Sequence, residues 1–267
     1  MRLDERTSAD GVFAFFAAAC GLTWLLAAPL ALAWMRHTPP PPYAVACAGL
    51  SAFGPLFAAL SIAGRQRRLG EVFGRWRANP MWILLALFAP VTVHTMATAL
   101  YVAIGGQPTQ WLHPPSTPEQ MAALVVFPIG EEFGWRGFAH PRMVRRYGLV
   151  KGSLALGAFW GLWHLVYSVT PDAGRFDVLT FAMTMAELPL YALLIAWVFE
   201  RANRSMAVAI AFHAGAHLDH IELAPRTDLR LHAMHLLTVA VLAALAARSL
   251  AKADRVAAAG GSPRVDG

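Results

Sequence analysis

The sequence has few charged residues for its length. Asp, Glu, Lys and Arg make up 14% of the 267 residues, whereas hydrophobic residues make up 57%. A soluble globular domain usually has about 25% charged residues. This deficit, together with a mean hydropathy of +0.47, is not typical of a soluble protein and predicts an integral membrane protein.

Cysteine is also scarce. Cys20 and Cys47 each lie inside an apolar run, so the sequence predicts neither a disulfide framework nor a cysteine-based metal site. The net charge of +6 comes from short basic clusters between apolar runs, a pattern that indicates membrane orientation and no nucleic-acid partner. The first apolar run, residues 11–35, is too long for a signal-peptide core, and we interpret it as a retained transmembrane helix.

The apolar runs predict an all-α polytopic membrane protein with about eight transmembrane helices. A hydrocarbon core of about 30 Å requires about 20 apolar residues in a helix. The predicted spans are residues 11–35, 43–63, 81–105, 119–138, 152–169, 178–199, 205–219 and 232–250. We expect a single transmembrane domain over residues 1–250 and a disordered tail over residues 251–267. Seven spans is the alternative, because the fourth and seventh carry polar groups.

The basic residues predict how the chain is oriented. Most of the 22 Lys and Arg residues fall on one side of the membrane if eight spans begin in the cytoplasm. The loop at residues 106–118 contains none of them. Because cytoplasmic loops are enriched in Lys and Arg, we expect a multi-pass protein of the cell membrane with both termini in the cytoplasm.

Ionisable residues interrupt this apolar pattern first in the segment PIGEEFGWRG, residues 128–137. On a helix, Glu132 and Arg136 are four residues apart with the acid first, which favours an ion pair. Glu131 points about 100° away and lacks such a counter-ion. We therefore interpret Glu131 as a carboxylate available for general acid–base chemistry, and the pair as its support.

Two histidine motifs follow on later helices. His164 shares a helix face with Trp160, one turn earlier, in the segment WGLWHL. His213 and His217 also share a face, with only Ala and Gly between them, and small residues allow another helix or a substrate to approach closely. In the predicted topology Glu131, His164 and His213 lie about 12–18 Å from the cytoplasmic helix ends. We expect them to meet in a polar cavity that opens towards the cytoplasmic side.

These motifs, in this order, resemble the CPBP family of intramembrane endopeptidases, which includes CAAX-type proteases and bacteriocin-processing relatives and is also called Abi. EEFGWR matches the family's EExxxR motif, and residues 160–164 match Phe-x-x-x-His with Trp160 in place of phenylalanine. Residues 213–217 match His-x-x-x-Asn with His217 in place of asparagine. The resemblance covers about residues 120–220.

The resemblance implies a membrane-embedded peptidase with assigned roles. Glu131 would activate a water as general base and His164 would help to hold that water. His213 and residue 217 would contact the developing oxyanion, while Glu132, Arg136 and Trp160 would support the site. An asparagine amide always offers an N–H group, whereas a neutral histidine does so in one tautomer only, so His217 alters that part of the pattern.

The sequence leaves two mechanisms open. Zinc or another divalent metal could be held by a carboxylate and imidazole set of the type that zinc prefers, namely Glu131, His164, His213 and His217. The alternative is metal-free water activation by glutamate and histidine, which we favour because no H-E-x-x-H motif is present.

The predicted function is hydrolysis of a peptide bond in a peptide or membrane-protein substrate, including prenylated-type substrates, in contact with membrane lipids. One alternative is a non-catalytic membrane-binding, immunity or chaperone protein that keeps the protease-like fold. Another is a proton-coupled transporter, since such proteins also place Glu and His in the membrane. Transporters usually contain structural repeats, and this sequence shows none. It indicates no oligomeric state.

Overall fold

The computed structural model describes residues 5–108, 111–112, 115–170, 174–218 and 229–259, without the side chains of residues 5–10 and 257. These residues form ten α-helices, one π-helix, one 3-10 helix and a two-stranded antiparallel hairpin. The elements in chain order are α1 (Glu5–Met35), α2 (Pro42–Ser51), α3 (Gly54–Arg65), α4 (Leu69–Phe73), α5 (Pro80–Ala103), α6 (Pro118–Glu132), the π-helix (Phe133–Ala139), α7 (His140–Trp163), the 3-10 helix (His164–Ser168), β1 (Val169–Thr170), β2 (Arg175–Phe176), α8 (Val178–Arg201), α9 (Met206–His217) and α10 (Leu229–Ala258). The predicted all-α membrane fold is therefore confirmed.

The number of spans differs from the predicted eight. Among the described residues, five helical stretches are long and apolar enough to cross a membrane, or six if the bent pair α2–α3 is one span. The predicted seventh span is the 12-residue helix α9, about 18 Å long at 1.5 Å per residue, which is shorter than a hydrocarbon core of about 30 Å.

The predicted fourth and fifth spans lie within one helical stretch, Pro118–Ser168. That stretch is interrupted at Gly148, whose φ of 77° and ψ of 172° are not helical. A positive φ is accessible to glycine without a steric penalty. Beyond this break, Gly152 lies so close to the backbone of Met143 that a Cβ atom would contact it. The sequence therefore predicted two helices here, and the structure joins them without an extended loop.

Two compact units make up the chain, each built from two segments. The first comprises residues 1–74 and 130–192, and the second comprises residues 75–129 and 193–267. The single domain predicted over residues 1–250 therefore stays a prediction. Helix α10 continues to Ala258, past the predicted limit at residue 250, and residues 260–267 of the predicted disordered tail lie outside the described residues.

In the first unit, α1 packs against α2, α3 and α7, and the π-helix packs against α3 and α4. Aromatic rings fill the core between α1 and the π-helix: Phe15 contacts the rings of Trp135 and Phe138 at 5.4 Å and 5.1 Å between centroids. All seven residues of the π-helix are buried. The segment that carries the EExxxR motif is thus held at the centre of this unit.

In the second unit, α5 packs against α9 and α10. Gly215 on α9 lies against the backbone carbonyl of Leu87, where a Cβ atom would clash. This contact explains the small residues between His213 and His217, because they let α9 approach α5 closely. Of the two possibilities that the sequence left open, another helix or a substrate, the structure shows a helix at this point.

Candidate active site

Glu131 is buried at the end of α6, with 4% of its surface exposed. The indole Nε1–H of Trp160 donates a hydrogen bond to Glu131 Oε2 at 2.8 Å. The indole Nε1–H of Trp135 points to the same oxygen at 3.4 Å. Hydrogen bonds to an ionised group are stronger than neutral ones, so these two donors favour one orientation of the carboxylate.

Glu132 and Arg136 form the predicted ion pair. Arg136 Nη1 donates to Glu132 Oε1 at 2.9 Å, and both side chains are almost completely buried. The guanidinium of Arg136 also lies 4.9 Å from the centroid of the Trp160 ring, within the range of a cation–π interaction. Each of these buried charges compensates the other, so removing either one alone would leave an uncompensated charge in the interior.

Three glycines in and beside the EExxxR motif allow the neighbouring parts of the chain to pack closely against it. Gly130 lies against the backbone carbonyl of Ala52 and the ring of Phe53, Gly134 against Pro55, and Gly137 against the backbone carbonyl of Val72. In each case a Cβ atom would collide with the neighbouring chain. The spacing of these glycines therefore allows the π-helix to lie directly on α3 and α4. π-Helical turns are rare and occur frequently at functional sites.

His164 begins the 3-10 helix one turn after Trp160. Its Nδ1 lies 2.8 Å from the backbone carbonyl oxygen of Trp160. Because a carbonyl oxygen only accepts, Nδ1–H donates this bond, and in a neutral imidazole Nε2 is then the nitrogen that accepts hydrogen bonds. The ring is half-buried and contacts Trp163 edge-on at 4.7 Å between centroids.

Trp160 therefore joins the two candidate catalytic groups. Its side-chain N–H contacts Glu131, while its main-chain carbonyl contacts His164. From the sequence, Trp160 was expected to support the site only as an apolar, aromatic wall. The indole donor is a contact that the phenylalanine usual at this position could not make.

A chain of hydrogen bonds, which the sequence did not predict, fixes the turn that carries His164. Trp163 Nε1–H donates to Thr23 Oγ1 at 2.7 Å, and Thr23 donates in turn to the carbonyl oxygen of Ser51 at 2.8 Å. The hydroxyls of Ser51 and Tyr167 share a hydrogen bond of 2.6 Å. These contacts attach the 3-10 helix to α1 and α2. Local sequence spacing could not indicate these bonds. Two of them join residues more than 100 positions apart, and the bond between Thr23 and Ser51 joins residues 28 positions apart.

Trp135 was also missed, although the sequence contains a signal for it. It lies four residues after Glu131, the same spacing that predicts the pair of Glu132 and Arg136. A tryptophan at that position can donate its N–H to the carboxylate one turn earlier.

His213 and His217 lie on α9 in the second unit. Their rings are parallel within 10° and 5.0 Å apart between centroids, so the predicted shared face is confirmed. His213 is buried, with 5% exposure, and His217 is half-buried. The loop before α9 is fixed by two hydrogen bonds, from Ser205 Oγ to the carbonyl of Trp76 and from Met206 N to the carbonyl of Arg75. That these imidazoles meet Glu131 in a polar cavity stays a prediction.

The side chains do not form a metal site in the part of the chain that the structure describes. There, no group of three or more His, Cys, Asp or Glu side chains is arranged to hold a metal ion. The predicted zinc or other divalent metal at Glu131, His164, His213 and His217 stays a prediction.

Comparison with known proteins agrees with the three motifs. Residues 114–218 match the family described as "Type II CAAX prenyl endopeptidase Rce1-like". The chain is also similar to a protein of Methanococcus maripaludis named "CAAX prenyl protease 2", with 30% identity over 109 residues. This alignment covers 38% of the present chain and 39% of the relative, so the chain spans about two fifths of the relative's length. The predicted family resemblance is confirmed over this segment.

Proposed function

We propose that this chain, whose residues 114–218 match the Rce1-like family of CAAX prenyl endopeptidases, is a CAAX-type endopeptidase that hydrolyses a peptide bond of a membrane-associated substrate. The observation that carries the proposal is the double contact of Trp160 with Glu131 and His164. One residue thus contacts both a buried carboxylate and an imidazole, the two types of group that general acid–base activation of a water most often uses.

In the proposed reaction, Glu131 is the general base. It removes a proton from a water molecule as the water oxygen attacks the carbonyl carbon of the scissile peptide bond. His164 Nε2 accepts a hydrogen bond from the same water and orients it. When the tetrahedral intermediate collapses, the proton held by Glu131 passes to the leaving amine. The two indole donors keep Glu131 in position throughout.

His213 and His217 have a proposed role in stabilising the oxyanion of that intermediate. Each neutral imidazole offers one N–H group, and removing one oxyanion donor from a peptidase costs about 100- to 1000-fold in rate. His217 fills the position of the family's usual asparagine. A His217→Asn variant should therefore keep most of the activity, whereas His217→Ala should lose it.

The orientation of the chain is part of the proposal. With both termini in the cytoplasm, the substrate would reach the site from the cytoplasmic side, where CAAX-type C-termini would be presented. The substrate class we propose is a peptide or membrane protein whose cleavage site lies beside a lipid-modified or apolar segment.

The test is a cleavage assay with purified protein in detergent or nanodiscs. Three substrates should be compared: a peptide with a farnesylated CAAX-type C-terminus, the same peptide without the lipid, and a peptide with an apolar internal segment. Glu131→Gln and His164→Ala should abolish cleavage. Glu119→Gln is the matched control, because Glu119 is exposed at the start of α6 and should leave activity unchanged.

Each arm should be repeated with a chelator. Cleavage that survives the chelator but is lost in Glu131→Gln would support the glutamate and histidine mechanism. Cleavage that Glu131→Gln retains would refute it. If folded wild-type protein binds these peptides but cleaves none of them, the non-catalytic alternative would replace the proposal.

A further inference from the structure

The second unit contains an apolar groove of about 690 Å³. It is formed by α5, the end of α8, α9 and α10. On α5 the lining residues run from Met81 to Met96 along one face, a distance of about 22 Å at 1.5 Å per residue. One leaflet of hydrocarbon is about 15 Å deep, so the groove is long enough for one acyl chain of a lipid.

The hydroxyl group on the α5 side of this groove has its hydrogen-bond partner on the same helix. Thr92, the hydroxyl-bearing residue midway along α5, donates to the carbonyl oxygen of Phe88 at 2.9 Å. The other residues along the same face are Leu, Phe, Ala, Val and Met. A hydrocarbon chain therefore fits this surface without leaving a polar group unsatisfied, which would be costly in the bilayer.

One end of the groove carries a fixed positive charge. Arg201, at the end of α8, lines the groove together with Ser249 of α10. Its Nη2 donates to Ser249 Oγ at 2.8 Å, and its guanidinium lies 4.7 Å from the ring centroid of Trp197. Both of these contacts are with neutral groups, so they orient the charge without neutralising it.

The charge of Arg204, the next arginine along the chain, is compensated by a carboxylate. Arg204 donates to both carboxylate oxygens of Glu200 at 3.1 Å and 2.9 Å, which compensates its charge. Exposed Arg248 and Lys252 flank Ser249 on α10 and add positive charge to this end of the groove. Arginine recognises phosphate particularly well because its planar guanidinium can donate two parallel hydrogen bonds.

We propose that this groove is a binding site for an anionic glycerophospholipid, with one acyl chain along α5 and α10 and the phosphate at Arg201. Phe212 lines the groove immediately before His213 on α9. A bound lipid would therefore pack against the helix that presents the two histidines. This proposal does not depend on the proposed peptidase activity.

The experiment uses phosphatidylglycerol with a photoactivatable acyl chain, and phosphatidylcholine with the same chain as the comparison. Full-length protein in nanodiscs is irradiated, and labelled peptides are mapped by mass spectrometry. Phosphatidylglycerol should label α5 between Leu85 and Met96 and α10 near Leu242. Labelling should exceed that by phosphatidylcholine about fivefold, as expected for one charged contact at a membrane surface.

Two variants make the result specific. Arg201→Gln should reduce phosphatidylglycerol labelling to the phosphatidylcholine level, whereas Arg204→Gln is the matched control and should leave it unchanged. Ala89→Trp should fill the groove and reduce labelling by both lipids. Each variant should give a single monodisperse peak in gel filtration, which separates loss of binding from loss of folding.

Other outcomes would overturn the proposal. Equal labelling by the two lipids would identify the groove as ordinary lipid-facing surface. Cross-links between two protein chains at the same residues would identify it as an interface between copies.

Discussion

Replacing Trp160 by phenylalanine would test the site most directly. The substitution removes one N–H donor, which lies 2.8 Å from Glu131 Oε2, and leaves an aromatic ring in the same place. The backbone carbonyl that holds His164 remains. Phenylalanine is also the usual residue of the family motif, so the folded state should accept it.

The expected loss of rate follows from the strength of the hydrogen bond that the substitution removes. A hydrogen bond to a charged group contributes about 1.5–3 kcal/mol, which corresponds to roughly ten- to hundredfold in rate if the bond acts in the transition state. We expect Trp160→Phe to lower kcat by that factor. KM should change little, because a group that acts only on the general base does not contact the substrate in the ground state.

Two further variants calibrate the measurement. Trp135 points to the same oxygen at 3.4 Å, beyond the usual range of about 2.7–3.2 Å, so Trp135→Phe should lower kcat by only a few fold. Trp82, half-buried on α5 against Trp197, is a control for replacing tryptophan by phenylalanine away from the site. Initial rates of cleavage of the same peptide would be measured for all three variants. A Trp160→Phe enzyme as active as wild type would refute the role given to this indole, and so would an equal loss in Trp82→Phe.

Three other variants test the packing around the site, each by thermal unfolding in detergent. Glu132→Gln should lower the unfolding free energy by about 3–5 kcal/mol because it leaves the charge of Arg136 buried and uncompensated. Replacing both residues, by Leu and Met, should recover most of this loss. If the double variant recovers no stability, the explanation is wrong. Gly137→Ala should cost about 1–3 kcal/mol, since its Cβ would overlap a backbone carbonyl of α4, whereas Gly70→Ala, with open space around it, should be neutral. Thr23→Val should cost about 1–3 kcal/mol by leaving a buried indole N–H without its acceptor, and an unchanged melting temperature would show that this bond is dispensable.

Contacts between residues four positions apart were the part of the site that the sequence predicted well. Helical spacing places such residues on one face whatever the surroundings. The pair of Glu132 and Arg136 and the parallel rings of His213 and His217 both follow from this rule. The pair of Glu132 and Arg136 forms even though Arg136 lies in the π-helix Phe133–Ala139.

Contacts between distant segments could not be predicted in this way. The hydrogen bond from Trp160 to Glu131 joins residues 29 positions apart, and its existence depends on how α7 turns at Gly148. A hydropathy window counts apolar residues but does not detect a break in the helix. For the same reason it treated α9 as a span, although that helix has only 12 residues.

The tryptophan at position 160 changes what the histidine motif can do. A phenylalanine there would supply a wall for the cavity and a backbone carbonyl for the imidazole. Tryptophan adds an N–H donor to Glu131 and a larger ring over the guanidinium of Arg136. One side chain thus contacts the proposed base, the ion pair beside it and, through its main chain, His164. Any movement of α7 at this residue must alter all three together, which is why Trp160, although it performs no proton transfer itself, controls the proposed chemistry.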